Sequence, residues 1–492
     1  MTSSTSLGGF FKHSSIYAFG SILNRAAAFL LLPIYTNYLS VAEYGALELF
    51  YVIATVVSGL LSVGIAHATL RFYFEYETET ERNAVVTTNL TVSLLITSAG
   101  ALLVSFWHEP LARYVMGNPE YSRGVLIVLA TLVLELSSQV SLAYLRAKEY
   151  SKLFVIIMFF KLVLQFAANT YFVVFRHAGI EGVLTGNLLA VAFGWIILTI
   201  FVLRQCPYCF EWSKAVPVLK YSFPFLLSTI TGLISANIDR FLINSLLSLQ
   251  ALGIYALALK FSGLLDNLIG EPFNRSYGAY RFSIMKRADA AAVQMRIVRY
   301  LLMGLTALGL GIVYFAHDLL VIMSDKAYWP AADILPLLVL GSLLQVINYP
   351  MQTGIFYEKK TRYVFYIGLL AAVVSSAANF VLIRWLGILG ACGAQVVTAG
   401  AVLYITNRIS QRYFSVRYEY PRLFAILLVT VIFYLLSLPL MNQSLYWSVP
   451  LKLLLYAGFL ATLIYSGALQ RTEISWLRSK LYAPFQRSAS KA

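Results

Sequence analysis

Residues 221–274 read YSFPFLLSTITGLISANIDRFLINSLLSLQALGIYALALKFSGLLDNLIGEPFN. The stretch holds two apolar segments, 221–247 and 251–273. Each is long enough to cross a bilayer, which takes roughly 20 residues at 1.5 Å rise per residue. Asp239, Arg240 and Lys260 lie inside them. A charge within a spanning helix is costly, so it faces a protein interior or a watery cavity. The stretch thus predicts a membrane fold with an interior that uses charge.

Working outward, the same texture fills the chain. Of its 492 residues 59% are hydrophobic and 12% charged, against roughly 25% charged in a soluble protein. Apolar length predicts fourteen spanning segments: 14–39, 44–67, 85–107, 124–145, 153–175, 180–203, 221–247, 251–273, 297–316, 331–355, 363–383, 387–407, 422–441 and 446–469. The segment 331–355 is bracketed by Pro336 and Pro350. The expected fold is an all-α polytopic membrane protein.

The net charge of +15 does not indicate nucleic acid, because the cations sort by loop parity. Arg113, Arg123, Arg176, Lys326, Arg384 and Lys452 fall on one side. Arg25, Lys161, Arg240 and Lys260 fall inside segments, and every other Lys and Arg falls on the side of the N-terminus. That bias places both termini in the cytoplasm. The loop 274–296 is basic and reads as a linker helix at the headgroups. The start MTSSTSLGGFFKHSS has no pattern of a cleaved signal, so the first spanning helix is expected to direct insertion.

A duplication is legible. Arg176–Gly182 (RHAGIEG) matches Arg384–Gly390 (RWLGILG) at an offset of 208. Leu39-Ser40…Gly45 recurs as Leu247-Ser248…Gly253 at the same offset, and Ala167-Ala168-Asn169 recurs as Ala377-Ala378-Asn379 at 210. Repeats are sought first because they set the architecture. The unit is six helices, so both copies share one orientation. The expected domains are 1–210, 211–420 and a pair of helices with a basic tail, 421–492. Parallel repeats around a midplane site point to a transporter.

The intramembrane charges supply candidate site residues. Arg25, Lys161, Arg240 and Lys260 outnumber the mid-membrane acids Glu135 and Asp239. A surplus of cations at depth calls for water or an anion. Arg binds phosphate through a planar fork and Lys as a point charge. These four are therefore read as an anionic-headgroup clamp, with Asn24, Gln165, Asn169 and Asn237 as hydrogen-bonding candidates for sugars. The bland alternative pairs Glu135 with Lys161, and Asp239 with Arg240 or Lys260. Glu135, Asp239 and Asp266 are also candidates for coupling to H+ or Na+.

Other signals carry less. Cys206-Pro-Tyr-Cys209 lies in a short basic loop rather than beside a βαβ unit, so redox chemistry is not expected, and three cysteines make no disulfide framework. The five histidines are scattered and show no metal-ligand spacing. No nucleophile–base constellation and no cofactor motif is present in the sequence.

Three stretches carry a family resemblance. They are Tyr221-Ser-Phe-Pro224…Asp239-Arg240-Phe-Leu-Ile243…Leu252-Gly253-Ile-Tyr255…Lys260, then Glu43-Tyr44-Gly45-Ala46-Leu47, and Arg71-Phe-Tyr-Phe-Glu75. This pattern resembles the polysaccharide-type flippases of the multidrug/oligosaccharidyl-lipid/polysaccharide exporter (MOP) superfamily, which includes the MATE transporters. The resemblance implies two six-helix lobes and two C-terminal helices, the latter grooved for a polyprenyl tail. It implies a non-enzymatic flippase of the bacterial inner membrane that moves polyprenyl-diphosphate-linked oligosaccharide for O-antigen, exopolysaccharide or similar polymers by alternating access. Polymerase and chain-length proteins are the implied partners. Competing readings are a multidrug or cation antiporter, which would favour an acidic cavity, and a membrane glycosyltransferase or polymerase, which would favour a large outer loop. A third is a scaffold of the assembly machinery.

Overall fold

The computed structural model describes residues 29–62, 64–285, 287–440 and 445–465. All regular elements among them are helical. In chain order they are α1 (Leu32–Tyr38), α2 (Val41–Leu61), α3 (Ile65–Glu75), α4 (Glu79–Ser105), α5 (His108–Met116), α6 (Ser122–Ala147), α7 (Ser151–Asn169), α8 (Gly179–Gln205) and α9 (Trp212–Leu246). There follow α10 (Leu249–Ser262), α11 (Glu271–Ile284), α12 (Ala290–Met323), α13 (Ala331–Met351), α14 (Thr353–Tyr357), α15 (Arg362–Leu386), α16 (Ile388–Tyr413), α17 (Tyr420–Ser437) and α18 (Leu445–Tyr465).

Eleven spans among the described residues are long and apolar enough to cross a membrane, and Ser448–Ile464 is a shorter apolar helix. The first predicted segment lies mostly outside the described residues, and α9 covers the seventh. The second segment breaks at Gly64, whose φ of +70° a side chain would resist. The fifth closes in a π-helical turn, Thr170–Phe175, and the eighth passes through another, Asp266–Gly270. Pro336 and Pro350 do not split α13.

Local chemistry fixes several ends. Ser40 caps α2: its Oγ accepts the Glu43 N–H at 3.2 Å, and Glu43 Oε2 accepts the Ser40 N–H at 2.8 Å, a reciprocal capping box. The 274–296 segment, expected as a linker helix, has one face packed into the protein. Helix α11 carries the chain on to Ile284, and Tyr277, Arg281 and Ile284 are buried, the two apolar ones in a core with Ala290 and Val293. That face packs into the protein, while Arg275, Tyr280 and Phe282 on the other faces stay exposed.

Contacts divide the chain into two compact units. One contains residues up to Ala256 together with Met323–Tyr328; the other contains Leu257–Ile322 and residues from Trp329 on. In the first, α6 packs on α4 and α8, α7 on α8, and α9 on α2. Its core includes Tyr73, Val86, Tyr144, Ile157, Leu198 and Val202. In the second, α16 packs on α13 and α15, and α17 on α18.

The duplication is visible in the geometry. Gly179 and Gly387, equivalent at offset 208, both have positive φ, +54° and +59°. Asn118 and Asp325 each cap a short 3-10 turn, accepting the N–H of Glu120 and Ala327 respectively, both at 2.9 Å. The first unit also holds contacts that are images of each other. A Cβ on Gly45 would lie 1.9 Å from the carbonyl oxygen of Leu249, and one on Gly253 would lie 2.1 Å from that of Val41. Val41 and Leu249 are themselves 208 apart, as are Gly45 and Gly253. Likewise Thr36 donates to the Met323 carbonyl at 3.0 Å, and Asn244 to the Val115 carbonyl at 2.7 Å. The pairs Thr36/Asn244 and Val115/Met323 again differ by 208. Such self-complementary contact is what a two-fold relation between copies produces. These contacts join the ends of spans at the loops opposite the basic ones.

Candidate functional site

In the first unit the Asp239-Arg240 pair sits on α9 facing α10. The Asp239 carboxylate accepts the Tyr255 hydroxyl at 2.7 Å and the Arg240 backbone N–H at 2.8 Å. The Arg240 guanidinium stands 3.8 Å from that carboxylate and donates to the Ala236 carbonyl at 2.8 Å. Glu48 on α2, only 6% exposed, acts electrostatically on Arg240. Sequence reasoning passed over Glu48, although a carboxylate inside the apolar run of α2 was the available signal. It also assigned Tyr255 no role, although it belongs to the quoted Gly-x-Tyr motif. A carboxylate held by a tyrosine and a backbone amide is braced, which sets where Arg240 points.

Glu135 on α6 and Lys161 on α7 line one small cavity of about 70 Å³, together with Gln139 and Trp195. Among the described residues the two make no ion pair or hydrogen bond with each other or with any neighbour. The alternative Glu135–Lys161 pair is thus replaced by two groups facing a shared space, because α6 and α7 both pack mainly on α8 and little on each other. Beside them, Asn169 is fully buried and donates to the Tyr35 hydroxyl at 2.7 Å and to Asn187 Oδ1 at 3.1 Å, while Gln165 donates to the same Asn187 oxygen at 2.8 Å. These amides bridge helices. Asn237 turns back on its own helix, donating to the Leu233 carbonyl at 2.9 Å.

In the second unit Lys260 lies half-buried in the last turn of α10. Asp266 opens the π-helical turn and accepts the Tyr349 hydroxyl at 3.0 Å. Arg25 and Asn24 lie outside the described residues. Lys452, counted above with the outer loops, is instead inside: it is fully buried on α18 and reaches both oxygens of Asp318 on α12, at 2.9 and 2.8 Å. Its neighbours in sequence are apolar, so a buried carboxylate six helices earlier in the second unit was not legible. Cys206 and Cys209 are unbridged; buried Cys206 donates to Asn83 Oδ1 at 3.2 Å.

The geometry is that of a helical membrane protein with braced intramembrane charges and no catalytic constellation among the described residues. A family model described as "Polysaccharide biosynthesis protein" matches residues 10–277, more than half of the chain. The chain belongs to that family. It is also similar to an uncharacterized membrane protein of Methanocaldococcus jannaschii, 22% identical over 434 residues, covering 80% of this chain and 96% of the relative. Among solved structures it is similar to the lipid II flippase MurJ in an inward closed conformation, with TM-score 0.70, 14% identity, and coverage of 94% of this chain and all of that one. It is similar as well to an inward-facing multidrug resistance MATE transporter of the MOP superfamily, with TM-score 0.63, 15% identity, and coverage of 79% and 94%. Membership in the polysaccharide biosynthesis family and the MOP-type fold therefore agree with the architecture expected from the duplicated sequence.

Proposed function

We propose that this family member flips a polyprenyl-diphosphate-linked oligosaccharide across the cytoplasmic membrane of a bacterium for surface polysaccharide synthesis. The observation that carries the reading is family membership joined to a fold that matches a lipid flippase over 94% of the chain. The match to the MATE transporter stops at 79%. A polyprenyl tail needs an apolar surface beyond the twelve duplicated helices, and the additional pair α17 and α18 offers one.

In this reading the lobes 1–210 and 211–420 alternate around the substrate, both termini are cytoplasmic, and residues 421–492 serve the tail. Arg25, Lys161, Arg240 and Lys260 draw the diphosphate, Arg240 being aimed by its Asp239–Tyr255 brace. Of the three acids proposed for coupling to H+ or Na+, Asp239 and Asp266 are engaged by tyrosines. Glu135 opens on a cavity and has no such bond among the described residues, so it is the preferred coupling residue. The mirrored contacts of Gly45, Gly253, Thr36 and Asn244 would hold the outer end shut while the cytoplasmic side loads. Polymerase and chain-length proteins would receive the product.

Complementation tests the proposal. The chain is expressed in a strain lacking its own lipid-linked oligosaccharide flippase, and surface glycan is measured. Restored glycan is the expected result. Failure to restore it across a panel of strains differing in their oligosaccharide, with the protein present in the membrane, would overturn it. Wild-type export by a variant with Arg25, Lys161, Arg240 and Lys260 all neutralised would remove the clamp.

A further inference from the structure

The second unit has a cationic cavity at the basic end of its spans, apart from the intramembrane charges. It measures about 440 Å³ and lies between the first turn of α12 and the turn that joins α16 to α17. Ala291, Ala292, Arg296, Ser415, Arg417 and Glu419 line it.

Its charge balance follows from who holds whom. The Glu419 carboxylate is taken up by two other arginines: Arg299, 1% exposed, at 3.0 Å, and Arg422 at 2.6 Å. Asp289, the other nearby acid, is gripped by Arg287 at 2.7 and 3.0 Å, and that bond holds its carboxyl below the usual range. Arg296 reaches Asp289 only at 4.0 Å. Arg417 has no acidic partner among the described residues. Two guanidinium groups thus open on one concavity whose acids are already committed. The Ser415 hydroxyl and the first-turn N–H groups at Ala291 and Ala292, which have no partner within the helix, add neutral donors to the same wall. Glu419 apart, the polar side chains that line the space can all donate, and the ligand that answers such a set is an anion with several oxygens. The cavity lies just beyond the apolar lengths of α12, α16 and α17, the level where lipid headgroups sit.

We propose that this cavity binds a lipid-borne phosphate, clamped by Arg296 and Arg417. The proposal does not depend on flipping: a scaffold of the same fold would bind the same group. Phosphate is favoured over carboxylate because two arginine forks and a hydroxyl outnumber the oxygens of one carboxylate.

The test uses the full-length protein in phosphatidylcholine nanodiscs, titrated with dioctanoyl phosphatidylglycerol, farnesyl diphosphate and inorganic phosphate. The unsubstituted chain is expected to bind the lipid phosphates with an affinity that falls with salt. Arg417→Gln should weaken binding about tenfold, and Arg296→Gln with Arg417→Gln about a hundredfold, the loss of one and two charge-assisted contacts. Arg417→Lys should recover only part, because a point charge replaces a fork. Farnesyl diphosphate favoured over phosphatidylglycerol would make the cavity a docking place for isoprenoid diphosphates; the reverse would make it a site for membrane phospholipid. Unchanged lipid affinity in the double variant, with its melting temperature retained, would overturn the proposal. Should the double variant fail to fold, unchanged affinity in Arg417→Gln alone would do so, since that exposed side chain makes no ion pair among the described residues. Inorganic phosphate binding as tightly as the lipids would also overturn it.

Discussion

Replacing Gly45 with alanine should loosen the approach of α2 to α10 and unlatch the outer end. An ideal Cβ at Gly45 would sit 1.9 Å from the Leu249 carbonyl oxygen, whereas real Cβ contacts are essentially never under 3.0 Å. The backbones must therefore separate by at least about 1.1 Å. The obstacle is a main-chain carbonyl on a helix, which cannot rotate aside as a side chain would. Overpacking of this kind costs about 1–3 kcal/mol. If the contact belongs to the closed outer end alone, that cost shifts the closed-to-open ratio by about 5–150-fold. Val41→Cys is a suitable reporter, because Val41 is 5% exposed and its Cγ1 lies 3.0 Å from the would-be Cβ of Gly253. In a background with the three native cysteines replaced, an impermeant maleimide added from outside should label Val41→Cys at least about five times faster when Gly45→Ala is present. Gly232→Ala is the control, since a Cβ there meets nothing within 4 Å, and should change nothing. Alanine is also the better helix former by about 1 kcal/mol, so an effect through helix propensity would tighten α2. Equal labelling rates in Gly45→Ala and its parent would refute the reasoning.

Three other outcomes are expected. Lys452→Ala leaves Asp318 buried and unpaired and should cost about 3–5 kcal/mol, whereas Lys452→Met with Asp318→Leu should come close to the parent; thermal unfolding in detergent reads both, and equal loss in the two variants would count against a buried pair. Tyr255→Phe and Asp239→Asn should each weaken the brace by about 1.5–3 kcal/mol, and a double-mutant cycle on unfolding should show that the losses do not add. Ser40→Ala removes the α2 cap and should destabilise by about 1 kcal/mol; Ser40→Asp, which keeps an acceptor, should restore most of it.

The spans were legible because apolar length is a local property that a bilayer imposes on every spanning helix. Of the candidate site, sequence located the charged positions within the membrane and the Asp239–Arg240 pair, but not most of the other partners. It suggested Glu135 with Lys161, where packing leaves the two facing a cavity. It offered Asp239 only cationic partners, where the first hydrogen-bonding partner is Tyr255. It missed Glu48, whose importance arises only once α9 brings Arg240 alongside α2.

By itself the sequence determined that this is a duplicated, many-helix membrane protein, because hydropathy and the 208-residue offset are written along the chain. Only the tertiary structure decided that Gly45 meets Leu249 while Gly253 meets Val41, and that Lys452 lies buried against Asp318 rather than in an outer loop. The reason is common to both. Whether a helix spans is set by its own residues, whereas the partner of a glycine face or a buried charge is set by helices hundreds of residues away, brought beside it by packing.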